Sequence, residues 1–197
     1  LQREKEEAHD YRYFPDPDLV PVSVSPTWLA SVKAKVVEPP LSRVKRYADD
    51  YALSRKEAAA LVDERDVCLF YESVIEHAVT HGVGRERAGK QAANLVLQAG
   101  AKRANERTRA RQAEHDQATP DGARGASVEP VLVSDLGISA AAAGAIVKLR
   151  DEGSISAQGA DELFGLMCEP GHAGADAGEI ARTRGMIVVR DEGALDA

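Results

Sequence analysis

Five cations stand within ten positions of this chain, Lys102, Arg103, Arg107, Arg109 and Arg111, against the single acid Glu106. Such a run on a helix can hold the phosphates of a nucleic acid, each contact releasing condensed counterions, or it can be a solvated face that meets only water. Lys148 and Arg150 are a second, smaller candidate pair. His77 and His81 lie four apart, the spacing that would put two imidazoles on one metal with Glu72 or Glu76 nearby. That pair lacks the glutamate of an HExxH motif and any evident third ligand, and histidines at a helix end also favour its dipole when protonated. No metal site is expected there. Cys68 and Cys168 are a hundred positions apart with no companion cysteines, so they form neither a disulfide framework nor a zinc knuckle and are expected to be buried, inert thiols.

The elements that must carry these residues can be read from composition and spacing. The chain has 197 residues, 44% apolar and 29% charged, within the range of soluble globular proteins, and its scarce aromatics (5%) favour helices with small contact residues. Its apolar stretches, such as Val128 to Val133, fall far short of the ~20 residues that cross a bilayer. The N-terminus, Leu-Gln-Arg-Glu-Lys-Glu-Glu, has no apolar core of a signal peptide, and a cytoplasmic location without membrane contact is expected. The net charge of −7 is uneven: from Glu129 onward five basic residues face twelve acidic ones, and residues 1–128 balance to zero.

Pro15, Pro17, Pro21, Pro26, Pro39 and Pro40 make residues 1 to about 40 a poor helix but leave β-prone pieces such as Leu19-Val20 and Val22-Ser23-Val24 and a short helical run opened by Trp28. From Leu41 the period is helical. Leu41, Val44, Tyr47, Ala48 and Tyr51 form one stripe. Ser54-Arg55-Lys56-Glu57 has the form of a capping box for a helix to about Asp63. Val67, Phe70, Tyr71, Val74, Ile75, Ala78 and Val79 mark a third helix that Gly82 stops. A fourth runs from Arg85 through Ala92, Ala93, Val96 and Leu97 into the arginines. Short connections predict an antiparallel bundle over 40–112. Residues 113–130, with Thr119-Pro120-Asp121-Gly122, read as a linker. Residues 131–197 read as a small helical domain: one helix capped by Ser139 and ended by Gly153, one after Ser156 ended by Pro170-Gly171, and one centred on Ile180.

Two segments then resemble one family. His9-Asp10-Tyr11-Arg12-Tyr13-Phe14-Pro15-Asp16-Pro17-Asp18-Leu19-Val20-Pro21 is similar to the signature strand-loop of the B subunits of the aspartyl/glutamyl-tRNA amidotransferases. Gly137-Ile138-Ser139, Ile146-Val147-Lys148-Leu149, Glu152-Gly153-Ser154-Ile155-Ser156, Arg184-Gly185-Met186-Ile187-Val188 and Asp191-Glu192-Gly193-Ala194-Leu195 resemble the first part of the YqeY-like tail domain that closes the same B subunits. Between them, Phe70-Tyr71-Glu72 and Ala93-Asn94 fall where the family's bundle has related residues. The pattern departs at Leu95, where the family usually has Trp, and in a longer linker. The resemblance implies a mainly α chain: a β-containing remnant of a catalytic cradle domain (1–39), a helical bundle (40–112), a linker (113–130) and an incomplete tail domain (131–197), together a C-terminal fragment of such a protein.

The function implied is part of an ATP-dependent carbon-nitrogen ligase that takes its nitrogen from glutamine. The whole enzyme converts Glu-tRNA(Gln) or Asp-tRNA(Asn) to Gln-tRNA(Gln) or Asn-tRNA(Asn), using ATP and Mg2+ to phosphorylate the carboxylate so that ammonia can displace phosphate. The implied partners are tRNA and the A (amidase) and C (linker) subunits of the amidotransferase, without DNA. Tyr11, Arg12, Tyr13, Asp16 and Asp18 would edge the ATP and acceptor-end site, or else form a proline-set turn that only holds the cradle. This portion would mainly position tRNA through Lys102, Arg103, Arg107, Arg109, Arg111, Lys148 and Arg150. It is not expected to bind ATP or Mg2+ tightly or to be active alone. The competing reading is a stand-alone tRNA-binding or protein-interaction module without catalysis.

Overall fold

The computed structural model describes residues 22–118, 127–172 and 174–188, and these divide into two compact units, one ending at Glu38 and one beginning at Pro39. The signature segment Tyr11 to Asp18 lies outside the described residues, as does Leu19-Val20.

In the first unit the described secondary structure is α1 (Pro26–Lys35). Its start is built by Ser25, whose hydroxyl accepts from the Trp28 amide, and by Pro26 at the first helical position, where no amide is needed. The β-prone Val22-Ser23-Val24 is not a strand. Among the described residues the only β-type pairing is an isolated antiparallel bridge between Ile155 and Ile187, and these residues are overwhelmingly helical.

The second unit begins with α2 (Pro40–Tyr51), α3 (Arg55–Val62), α4 (Arg65–Thr80) and α5 (Arg85–Asn94). The capping box before α3 is present in both halves: the Ser54 hydroxyl accepts from the Glu57 amide at 3.2 Å and the Ser54 amide donates to Glu57 at 2.8 Å. Gly82, at φ 92, turns the chain after α4, a conformation glycine adopts without steric cost. The α4 stripe buries Val67, Tyr71, Val74, Ile75 and Ala78 as its spacing requires, with Phe70 and Val79 partly covered. Tyr47, Tyr51 and Tyr71 form the aromatic centre, Tyr47 and Tyr71 meeting edge to face at 5.1 Å between centroids. The hydroxyls of two of them are satisfied: Tyr71 donates to the Gly89 carbonyl at 3.0 Å and Tyr47 to Glu72 at 2.9 Å. Gly89 is required here, because a Cβ at this position would run into the Tyr51 ring.

The expected fourth helix is not uniformly α. After Asn94 the chain widens into a π-helical segment, Leu95–Gly100, then returns to α6 (Ala101–Ala118). The expected linker is shorter than read, because α6 continues to Ala118 and the chain from residue 127 returns along it. Val128 donates to the Gln112 side chain and Val131 to the Thr108 hydroxyl, both at 2.9 Å. Val131 and Val133 are buried, and Val133 seats against Gly100, where a Cβ would come within 2.6 Å of it.

A 3-10 turn (Val133–Leu136) leads to α7 (Ala140–Asp151), α8 (Ala157–Met167) and α9 (Ala177–Thr183), capped by Ser139, Ser156 and Asp176 respectively. The expected boundary between a bundle and a tail domain is not a break in packing. α4 and α7 lie against each other at Gly144, where a Cβ would meet the His77 Cβ at 2.7 Å and the Val74 carbonyl at 3.1 Å. Val74, Ile75, Ile146, Leu163 and Phe164 belong to one buried cluster. The physical reason is the small face of α7, Ala142, Ala143 and Gly144, all buried, which lets two helix backbones approach closely.

Candidate nucleic-acid interface

α6 positions the cationic run, and its first two turns face α8. Arg103 forks onto Asp161, with 2.9 Å from Nη1 to Oδ1 and 3.2 Å from Nη2 to Oδ2, and Nη1 also donates to the Ala99 carbonyl at 2.9 Å. Its guanidinium lies 5.8 Å from the centroid of the Phe164 ring and covers Gly165, where any Cβ would collide with it. Hydrogen bonding from Arg103, opposed by burial, holds the Asp161 carboxyl below its ordinary range. Lys102 adds a looser contact to Asp161 at 3.8 Å. One turn on, Arg107 donates to the Cys168 carbonyl at 2.8 Å, satisfying the end of α8 with a positive charge where the helix dipole is negative.

Three of the five cations are therefore engaged by groups of the protein, Arg103 largely covered and Lys102 and Arg107 still exposed, and the pairing of α6 with α8 uses them. Arg109 and Arg111 lie further along α6, both exposed, and neither makes a hydrogen bond or ion pair among the described residues. Arg111 continues the row of Arg103 and Arg107 at steps of four, past the end of the α8 contact. Lys148 pairs with Glu152 at 3.7 Å, and Arg150 reaches the Ile155 carbonyl at 3.4 Å. These two lie on α7, and the structure does not bring them into one cluster with Arg109 and Arg111 through any described contact.

His81 closes α4: its Nδ1 lies 2.7 Å from the His77 carbonyl, so the ring is tied to backbone. Among the described residues no group of three or more His, Cys, Asp or Glu is placed to hold a metal ion. Cys68 and Cys168 are free and buried, and burial pushes the Cys168 thiol above its ordinary range. Cys68 accepts from Arg43 at 2.7 Å and lies 3.1 Å from the Tyr47 hydroxyl, in a partly buried polar knot completed by Glu72 and Arg46. Sequence spacing carries no sign of this knot, since its hydrogen bonds join α2 to α4 across 21 to 26 positions.

A cavity of about 400 Å³ opens between α5 with the π segment and α7 with α8. No local pattern announces it either. Gln91, Asn94 and Gln98 line one side, Arg150 and Asp161 the other, over Leu95, Ile146 and Val147. Gln91 donates to Asp151 at 2.9 Å, a carboxylate that Arg87 also approaches at 3.3 Å, which fixes α5 to α7.

Comparison with known proteins adds what geometry does not. The sequence profile of the GatB/GatE catalytic domain matches residues 1–30. The chain is 38% identical over 196 residues to the aspartyl/glutamyl-tRNA(Asn/Gln) amidotransferase B subunit of Rhodopseudomonas palustris (strain BisA53), covering 98% of this chain and 33% of that protein. It is 36% identical over 194 residues to the corresponding protein of Bradyrhizobium sp. (strain BTAi1), covering 98% of this chain and 34% of that one. The counterpart in Xanthobacter autotrophicus is 34% identical over 194 residues, covering 98% of this chain and 33% of its own length. The chain thus spans about a third of the length of the curated relatives it matches.

Proposed function

The chain belongs with the aspartyl/glutamyl-tRNA(Asn/Gln) amidotransferase B subunits, and from that premise we propose that it is the tRNA-positioning part of such an enzyme. The observation that carries the reading is the extent of the relationship, which runs through 98% of the chain and takes in both the catalytic-domain match at residues 1–30 and the helical unit after it. In this reading the assembled enzyme, with its amidase and linker subunits, converts Glu-tRNA(Gln) or Asp-tRNA(Asn) to the amidated product. ATP and Mg2+ supply the activation of the carboxylate there. The described residues do not fit a magnesium site, since they gather no cluster of three acidic or other ligand groups, so no step of that activation is assigned to them.

What the described residues offer is a compact helical body with two exposed cations, Arg109 and Arg111, at the far end of α6. Point charges of this kind hold phosphates without reading sequence. Positioning further requires shape, and the shared core of α4 and α7 keeps the body in one form.

The test is competition for binding. Fluorescein-labelled tRNA(Gln), bound to the chain at low salt, is displaced with unlabelled tRNA(Gln), tRNA(Asn), an unrelated elongator tRNA and heparin. Displacement by the first two at about tenfold lower concentration than by the others supports positioning of the named substrates. Equal displacement by every polyanion contradicts it and favours the competing reading of a general binding module.

A further inference from the structure

Gln91, Arg150 and Asp161, whose contacts are described above, also line the cavity between α5 and α8, and that lining is unusual for a pocket between helices. Its floor is apolar, Leu95, Ile146 and Val147, but its rim carries three carboxamides, Gln91, Asn94 and Gln98. The Gln91 amide nitrogen is used on Asp151, while its Oε1 is buried and accepts no hydrogen bond. A buried acceptor left without a donor costs free energy, and an incoming donor would recover it. One wall is the π-helical segment, which holds Gln98 and Leu95; π turns are rare and occur mostly where a site needs them. The opposite wall is kept open by Ala157 and Ala160.

The chemistry of this lining selects its ligand. Asp161 is the only carboxylate among the lining residues and is already held by Arg103, so a cation has no ligand set. A single arginine, Arg150, whose own hydrogen bond is long at 3.4 Å, matches one phosphate and not a polyphosphate. Carboxamides present a donor beside an acceptor, the pattern shown by the edge of a nucleobase, and the aliphatic floor suits its flat face. The volume of about 400 Å³ is near the small end of ligand pockets, enough for one nucleoside and no more.

We propose that this cavity receives one unstacked nucleotide of the bound tRNA, with Asn94 and Gln98 reading the base edge, Gln91 accepting from it, and Arg150 taking its phosphate. The inference rests on the tRNA reading above and deepens it. Loops and ends are where RNA offers such bases, and a side-chain pair reading a base edge discriminates between bases where phosphate contacts do not.

The experiment probes tRNA(Gln), free and bound to the full chain, with dimethyl sulfate and carbodiimide, reagents that attack the Watson–Crick edges of unpaired bases. The variants are Gln98→Ala, which removes an edge contact, and Ala157→Trp, which fills the mouth; both positions are exposed, and equal melting curves establish that the variants fold. The expected result is one unpaired base protected by the wild type and released in both variants, with affinity down about tenfold and the salt dependence of Gln98→Ala unchanged. Wild-type affinity and an unchanged footprint in both variants overturn the cavity as a nucleotide site while leaving tRNA binding intact. Failure of the folded wild type to bind tRNA at low salt overturns both readings together.

Discussion

Arg103 shows why a charge run cannot be assigned from sequence alone. By type and spacing it is indistinguishable from Arg109, yet its side chain is 17% exposed and forks onto Asp161. The signal that could separate them is remote: Asp161 is 58 positions away, one turn into a helix opened by Ser156. Arg103→Ala should lower stability by about 1–2 kcal/mol in urea denaturation, a figure kept modest because Asp161 is more than a third exposed to solvent. Arg103→Lys should recover only part of the loss, since an ammonium cannot fork. The Asp161 carboxyl is held below its ordinary value of 3.8, so it binds protons less readily folded than unfolded. Its contribution is therefore present above that value and fades as pH falls through the folded pKa. Acid titration of the unfolding free energy should show this loss below about pH 4 in the wild type and a smaller one in Arg103→Ala.

Among the elements, those with a local signature were legible. Ser54, Ser139 and Ser156 each cap the helix their position announced, because capping is settled within four residues. Ser54→Ala should cost about 1 kcal/mol by the same denaturation assay. The π segment was not legible, since the spacing of Ala92, Ala93, Val96 and Leu97 suits an α-helix and the widening depends on contacts far away, such as Gly100 against Val133. The end of α6 was misplaced for a related reason. Gln112 and Asp116 have no apolar periodicity but hydrogen-bond to each other at 2.8 Å, and Gln112 also receives the returning chain. At the α4–α7 contact, Gly144→Ala should destabilise by about 1–3 kcal/mol, because its Cβ would press on backbone atoms of α4 that cannot rotate away. An effect under about 0.3 kcal/mol would contradict the close approach described.

For the whole helical unit, the expected two-part organisation gives way to one core that contains the Tyr47–Tyr51–Tyr71 centre and the Ile146–Phe164 region alike. Apolar periodicity says which face of a helix is buried but not against which partner, so a linker between two helical stretches suggested two bodies. Residues 39–188 should consequently unfold in a single transition, with near-ultraviolet tyrosine signals and far-ultraviolet helix signals coincident in urea. The buried Tyr47 and Tyr71 phenols have their pKa values raised by desolvation above the ordinary 10.0. Stability from this source is full below that value and is lost as pH rises beyond it, so urea midpoints should fall steeply above about pH 10. The candidate site at residues 11–18 was legible only as a resemblance, and the match of the catalytic-domain profile to residues 1–30 agrees with the family it pointed to. The interface on α6 was legible as a run, and its division into cations bonded to α8 and cations without a bond among the described residues needed the fold.

That division is the central claim, and the salt dependence of tRNA(Gln) binding tests it most directly, comparing wild type, Arg103→Ala and the Arg109→Ala/Arg111→Ala double variant with their melting temperatures. The double variant should melt as the wild type does and lose roughly 0.7–0.9 from the salt slope for each arginine removed, while Arg103→Ala should melt lower and keep the wild-type slope. An unchanged slope in the double variant, or a slope lost on removing Arg103 from a folded chain, would contradict the account.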